Sequence, residues 1–266
     1  MDLLQAFGWL ALAMAALMLG GWRWERAHRN AGIVDVLWAT GMGLAAVFLA
    51  AIGPGAALPR ILLAVLGGAW ALRLAMHLWR RVRGEAEDGR YRHLRAHWND
   101  SGPAFLLFFL GQALLVLLFA LPFAAVAANP AGDFSAWTAL GVAAWLLAVG
   151  GEAVADRQLA RFRADPRNRG RTCDTGLWRF SRHPNYFFEW LHWFAYVFLS
   201  VGSPLHLLSW AGPVLMYLFL RYLSGIPWTE AQALRTRGDD YRRYRERTPM
   251  LFPWFPRDPD RRRSQA

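Results

Sequence analysis

PAFLLFFLGQALLVLLFALPFAAVAA, residues 103–128, runs for 26 residues with Gln112 as its one polar side chain. About 20 apolar residues carry a helix across the hydrocarbon core of a bilayer. The stretch therefore reads as a membrane span, not as a helix of a soluble core. Working outward, six further runs fit the same template, at residues 3–22, 32–53, 58–79, 134–155, 186–201 and 205–223. The run at 186–201 is the shortest and carries Glu189 and His192. Composition agrees with this reading: 55% of the 266 residues are hydrophobic, with 15 Trp and 17 Phe, more than an ordinary soluble domain carries. The expected fold is an all-α membrane protein, a seven-transmembrane-helix bundle.

Charge placement orients the bundle. All 30 basic residues are Arg: three lie in residues 22–30, six in 80–100, eight in 157–182 and eleven in 221–266. Only Arg60 and Arg73 fall elsewhere. Seven spans put those four segments on one side, and the positive-inside rule makes that side cytoplasmic, with the N-terminus outside and the C-terminus inside. The net charge of +11 is thus explained by topology and by attraction to anionic membrane lipids, and no nucleic-acid partner is expected. The first span, preceded by Asp2 and lacking a small-residue cleavage site, reads as retained and not as a signal peptide. The single Cys173 excludes an internal disulfide and a Cys-based metal site, and no metal is expected. Residues 1–256 read as one membrane domain and residues 257–266, RDPDRRRSQA, as a disordered cytoplasmic tail.

Polar side chains inside apolar helices are costly and therefore informative. They are Asp35, Arg73, His77, Gln112, Glu152, Glu189 and His192, and all but Gln112 lie in or near the cytoplasmic half. This clustering points to a polar cavity opening inward. Asp35, among Ile33, Val34, Val36 and Trp38, is a candidate catalytic acid that as a neutral carboxylic acid donates to a carbonyl oxygen. Its plainer role is an ion pair with Arg73 or another Arg. Glu189 is the second candidate catalytic carboxylate. GMGLAA, residues 41–46, imitates a dinucleotide fingerprint, but it sits inside a continuous apolar span. Close helix packing explains it better.

The densest chemistry lies in GLWRFSRHPNYFFEW, residues 176–190, preceded by EAVADRQLARFR, residues 152–163. Arg suits bidentate phosphate contacts and stacking on flat rings. Arg163, Arg171, Arg179 and Arg182 form one basic group. Trp178, His183 and Tyr186 supply rings beside them, and Asn185 offers both a donor and an acceptor to an amide or adenine edge. The cytoplasmic loops are accordingly expected to cover a cofactor site.

At these residues the chain resembles the steroid 5-alpha-reductase-like membrane family, in its bacterial branch. The resemblance is carried by VDVLW (34–38), EDGRYRHLR (87–95), EAVADRQLARFR, GLWRFSRHPNYFFEW, and SGIPWTE with DDYRRY and FP (224–253). It implies an integral protein of a bacterial inner membrane. It also implies a seven-helix reductase that takes NADPH from the cytoplasm and reduces a carbon–carbon double bond conjugated to a carbonyl. The substrate would be a lipophilic, lipid-like or steroid-like small molecule drawn from the bilayer. By the same resemblance Asp156 and Arg163 match cofactor contacts, Asn185 and Glu189 match the central motif, and Tyr241 matches a C-terminal Tyr. The chain departs from the animal steroid reductases at Glu152, where they carry Asn, and near Glu230, where they carry a cofactor-binding His.

Two other classes compete. RHPNY, residues 182–186, is shared with isoprenylcysteine carboxyl methyltransferases, which use S-adenosylmethionine. That cofactor has no phosphate and carries a sulfonium cation, so it gives four Arg side chains little to do. A non-catalytic lipid-binding protein leaves the intramembrane carboxylates unexplained.

Overall fold

The computed structural model describes residues 2–257. The tail expected over 257–266 lies, apart from Arg257, outside the described residues. Every regular element among the described residues is helical: α1 (Leu3–His28), α2 (Ile33–Ile52), α3 (Ala57–Leu62), α4 (Gly68–Gly84), α5 (Gly89–His97), α6 (Gly102–Phe119), α7 (Leu121–Ala127), α8 (Ala136–Ala164), α9 (Pro184–Leu199), α10 (Ala211–Leu218), α11 (Ile226–Arg237) and α12 (Asp239–Arg247). A helix satisfies its own backbone and so tolerates the absence of water in hydrocarbon.

Among the described residues, six helical stretches are long and apolar enough to cross a membrane: Leu3–His28, Ile33–Ile52, Ala57–Gly84, Gly102–Ala127, Ala136–Ala164 and His206–Arg237. Two contain π-helical segments, Leu63–Gly67 and Phe219–Leu223. The expected sixth span forms as α9, with 16 residues. At 1.5 Å per residue that is about 24 Å, short of the ~30 Å core. The shortening has a local cause: Pro184 starts the helix just after the charged Arg182, and a helix cannot extend backward through it at low cost.

The described residues gather in two compact units. The first takes residues up to 141 together with 196–212. Asp2 caps α1 by accepting from the Gln5 amide at 2.8 Å, and Gln5 returns a bond to the Asp2 amide. Central α2 packs on α1, α4, α6 and α7, and the GMGLAA segment works there by being small. A methyl on Gly41 would stand 2.8 Å from the Met14 sulfur, and one on Gly43 would stand 2.9 Å from the Ala71 methyl. Away from the Arg-rich segments, the Asn129 side-chain amide donates to the carbonyls of Leu199 at 2.8 Å and Val201 at 3.1 Å. The Gly55 and Ala56 amides meanwhile donate to Ala127 and Asn129.

At the Arg-rich end of this unit a single guanidinium gathers three carboxylates. Arg95 Nη2 lies 2.8 Å from Glu25 and 2.7 Å from Glu87, and Nη1 lies 2.5 Å from Asp100. Its plane also covers the Phe105 ring at 4.8 Å. Glu25 is 0% exposed, and Glu87 accepts from the Ala31 amide at 2.8 Å. The whole segment from Glu85 to Asp100 is thereby fastened to the ends of α1 and α2. Burial opposes the charge on Asp100, but hydrogen bonds from Arg29, Arg95 and Arg26 outweigh it and hold the carboxyl down to about 2.

Removing one partner of a buried ion pair strands the other charge at a cost of ~3–5 kcal/mol. Arg95→Ala is therefore expected to lower the melting temperature of detergent-purified protein by an amount corresponding to that loss. Thermal unfolding of the variant beside the parent measures it, and an unchanged midpoint would refute the assigned role.

Candidate functional site

The second unit takes residues 142–195 and 213 onward. Its α8 ends with Arg161 and Arg163 in the last turn, where cations complement the helix dipole. The chain then folds tightly. Asp165 accepts from the Arg167 amide at 3.0 Å and caps a short turn at Pro166–Asn168. The Asn168 amide reaches back to the Phe162 carbonyl at 2.9 Å. Gly170 at φ 78° supplies a left-handed turn that other residues disfavour. Further on, Leu177 N donates to Gln158 at 2.9 Å and Trp178 Nε1 donates to the Ala155 carbonyl at 3.0 Å. The Thr172 amide donates to Asp240 at 2.7 Å.

This folding shapes an open hollow of about 290 Å³, whose lining includes Arg163, Asp165, Asn168, Arg169, Arg171 and Arg237. Arg169, Arg171 and Arg237 join no hydrogen bond or ion pair between side chains among the described residues. Several positive charges crowded on one hollow repel each other, and an anion relieves that repulsion. The arrangement is suited to a phosphate.

A second cluster stands on Glu230 of α11. Arg182 Nε donates to it at 2.7 Å, and His183 Nε2 lies 3.3 Å away. The Arg182 Nη1 also donates to the carbonyls of Arg245 at 3.0 Å and Thr248 at 2.8 Å. Burial pushes the His183 imidazole below its ordinary value, with Glu230 working against the shift. Burial, and then the neighbouring Glu230 charge, push the Tyr241 phenol upward. Tyr186 stacks on His183 with ring centres 5.4 Å apart, and its hydroxyl lies 3.2 Å from that of Thr229. Asn185 donates to Asp156 at 3.3 Å.

The residues anticipated for a cofactor thus separate into groups. Arg163 and Arg171 line the cavity. Arg182, His183 and Tyr241 surround Glu230, Tyr186 leans on His183, and Asn185 meets Asp156. Trp178 is buried with its indole nitrogen on a backbone carbonyl, while Arg179 is exposed. Glu189 lies half-buried on α9. Asp35 belongs to the first unit, where its carboxylate accepts from the Tyr91 hydroxyl at 2.6 Å and pairs with Arg90 at 3.2 Å. Its side chain is 33% exposed, so the apolar enclosure expected from Ile33, Val34, Val36 and Trp38 does not form around it. The ion pair is made with Arg90. Burial raises the Tyr91 phenol well above its ordinary value, and the Asp35 charge adds to the shift.

Sequence reasoning missed Arg169, Arg237, Glu230, Arg90 and Tyr91 as members of these clusters. Only EDGRYRHLR and SGIPWTE, quoted for their resemblance, pointed toward three of them. Nothing in residue spacing showed Arg237 arriving at the cavity from α11.

Glu230→Gln keeps the shape and removes the charge that neutralises Arg182. It is expected to destabilise the fold by ~3 kcal/mol or more, and to free His183 from the carboxylate that favours its protonation. Thermal melts measure the first effect and the imidazole NMR titration the second. A His183 titration left where the parent has it would show that Glu230 does not govern this cluster.

A family model described as a protein of unknown function, DUF1295, matches residues 21–248. No curated protein and no solved structure matches the chain. The matched residues cover the Arg95 hub, the Arg-lined cavity and the Glu230 cluster alike, and the chain belongs to the DUF1295 family.

Proposed function

We propose that the protein is an NADPH-dependent reductase of a carbon–carbon double bond conjugated to a carbonyl, acting on a lipid-like or steroid-like substrate from the bilayer. The observation that carries the reading is the Arg-lined cavity. Four guanidinium side chains line it; Arg169 and Arg237 pair with no carboxylate among the described residues, and Arg171 feels the charge of Asp240 without a direct ion pair. Arg forks bind phosphate in pairs, and NADPH carries a pyrophosphate and a 2′-phosphate where S-adenosylmethionine carries none. The volume suits the phosphate-bearing end of a dinucleotide and not the whole of it. The resemblance to steroid 5-alpha-reductase-like proteins through residues 152–163 and 176–190 supports the same assignment.

When bound, the nicotinamide supplies the hydride, and the protein's tasks are to position it, exclude water and place a proton donor at the carbonyl oxygen. Glu189, half-buried on α9, is the candidate donor in this reading, since the Asp35 carboxylate accepts from the Tyr91 hydroxyl and pairs with Arg90.

Thermal stability with NADPH, NADH and S-adenosylmethionine in parallel tests the reading. A ligand that binds the folded state alone adds ~2.7 kcal/mol at 100 times its dissociation constant. NADPH is expected to stabilise more than NADH, and Arg171→Gln is expected to narrow the difference. Equal stabilisation by the two dinucleotides, or stabilisation by S-adenosylmethionine only, would overturn it.

We further infer that α9 crosses as a seventh span, its shortfall met by local bilayer thinning. Seven crossings keep 28 of the 30 Arg on one side, whereas six would divide them. This places the N-terminus outside and the C-terminus in the cytoplasm of a bacterial inner membrane. A C-terminal fusion to a fluorescent protein that matures only in the cytoplasm is expected to glow, and a phosphatase fusion at the same place to be silent. The reverse pattern would refute the orientation.

A further inference from the structure

LFPWFP, residues 251–256, follows α12 and carries large apolar side chains that the fold does not cover. Leu251 is buried, but Phe252, Trp254 and Phe255 are 50%, 72% and 71% exposed. The segment is nevertheless fixed. Upstream of it, Arg182 N donates to the Pro249 carbonyl at 2.8 Å; within it, Ser181 Oγ donates to the Leu251 carbonyl at 2.8 Å. Trp254 N donates to the Phe180 carbonyl at 2.9 Å, and Arg257 N to the Arg247 carbonyl at 2.7 Å. Pro253 and Pro256 lock two backbone dihedrals and remove two donors. A pinned backbone that holds bulky rings outward is organised to meet an apolar phase.

The contacts of Phe252 set the level at which those rings stand. Its ring centre lies 5.3 Å from Trp190 and 6.3 Å from Phe187 on α9, and 6.3 Å from Tyr217 on α10. Phe255 lies 5.9 Å from Phe180, just before α9 begins. The rings therefore sit where apolar helix surface gives way to Arg-rich loop, the level at which aromatic side chains partition in membranes. Val214 and Leu218, one turn apart on α10, are also exposed, so the patch continues the outer surface of the membrane-length stretch His206–Arg237. Arg179 and Arg257, both exposed, flank it. Anionic headgroups complement those two charges, while a soluble apolar partner would leave them unmatched.

We propose that residues 251–256 form an interfacial anchor: Trp254 and Phe255 enter the headgroup–acyl boundary of an anionic bilayer, and Arg179 and Arg257 meet the headgroup phosphates. Through Ser181 and Phe180 the anchor holds the loop before α9 at the membrane surface. The inference is independent of the reaction proposed above.

Spin labels test it on the full chain. Trp254→Cys and Phe255→Cys are made singly in a Cys173→Ser background, with Cys173→Ala as the substitute should the first background aggregate. Each is labelled and reconstituted in phosphatidylcholine–phosphatidylglycerol nanodiscs, with Arg169→Cys as the aqueous control. Power saturation is then compared with oxygen, which concentrates in lipid, and with a water-soluble nickel chelate. Oxygen is expected to dominate at both 254 and 255, and nickel at 169. Nickel dominance at either aromatic position overturns the proposal. So does shielding from both reagents, which would mark a protein partner or a second copy of the chain.

Discussion

A carboxylate with no exposure, near the end of a helix long enough to cross a bilayer, has lost the water that would hydrate it and needs a donor in its place. Glu25 is that carboxylate and Arg95 the donor, and much of the first unit is arranged around their meeting. Arg95 has five donors in a rigid plane, enough to take Glu87 and Asp100 as well. A Lys ammonium is a point charge without that fork, and the chain uses Arg alone. Because Glu87 also accepts from Ala31, the hub determines where α5 starts. The position of α5 in turn determines what Asp35 touches.

The second unit solves its problem by the same means with different residues. Glu230 is to Arg182 and His183 what Glu25 is to Arg95: a carboxylate around which a charged loop becomes ordered structure. The contrast lies in what is left over. Around Glu230 the nearby cations are engaged, whereas around the cavity between α8 and Arg237 the basic side chains outnumber their carboxylates.

Legibility followed the physics of each segment. Residues 103–128 announce a helix because 26 residues with one polar side chain have few other stable states in lipid. The small residues of 41–46 were readable as packing for the same reason. The run at 186–201, with Glu189 and His192 inside it, forms α9 with 16 residues, and it is the expected span missing from the six stretches of membrane length among the described residues. The charged loops were opaque. α5, α11 and α12 are fastened by ion pairs between residues some 50 to 75 positions apart, such as Arg95 with Glu25 and Arg247 with Asp174, and no local pattern encodes such partners. Glu25 lies just past the apolar run at 3–22, and nothing in its sequence neighbours marks it as a buried carboxylate. RHPNY was recognisable as chemistry, yet its Arg and His turned out to serve Glu230, since a motif names residues without saying which neighbour claims them.

Asn129 adds a constraint of time to these constraints of space. Its side chain donates to carbonyls 70 and 72 residues later in the chain, while its own carbonyl holds the turn after α2. During synthesis the early helices are made and inserted long before residues 199–201 leave the ribosome. The Asn129 amide must wait, hydrated, on its side of the membrane until α9 arrives. The latch that closes the first unit is thus fitted late, and a chain stopped before α9 would hold its helices without being locked.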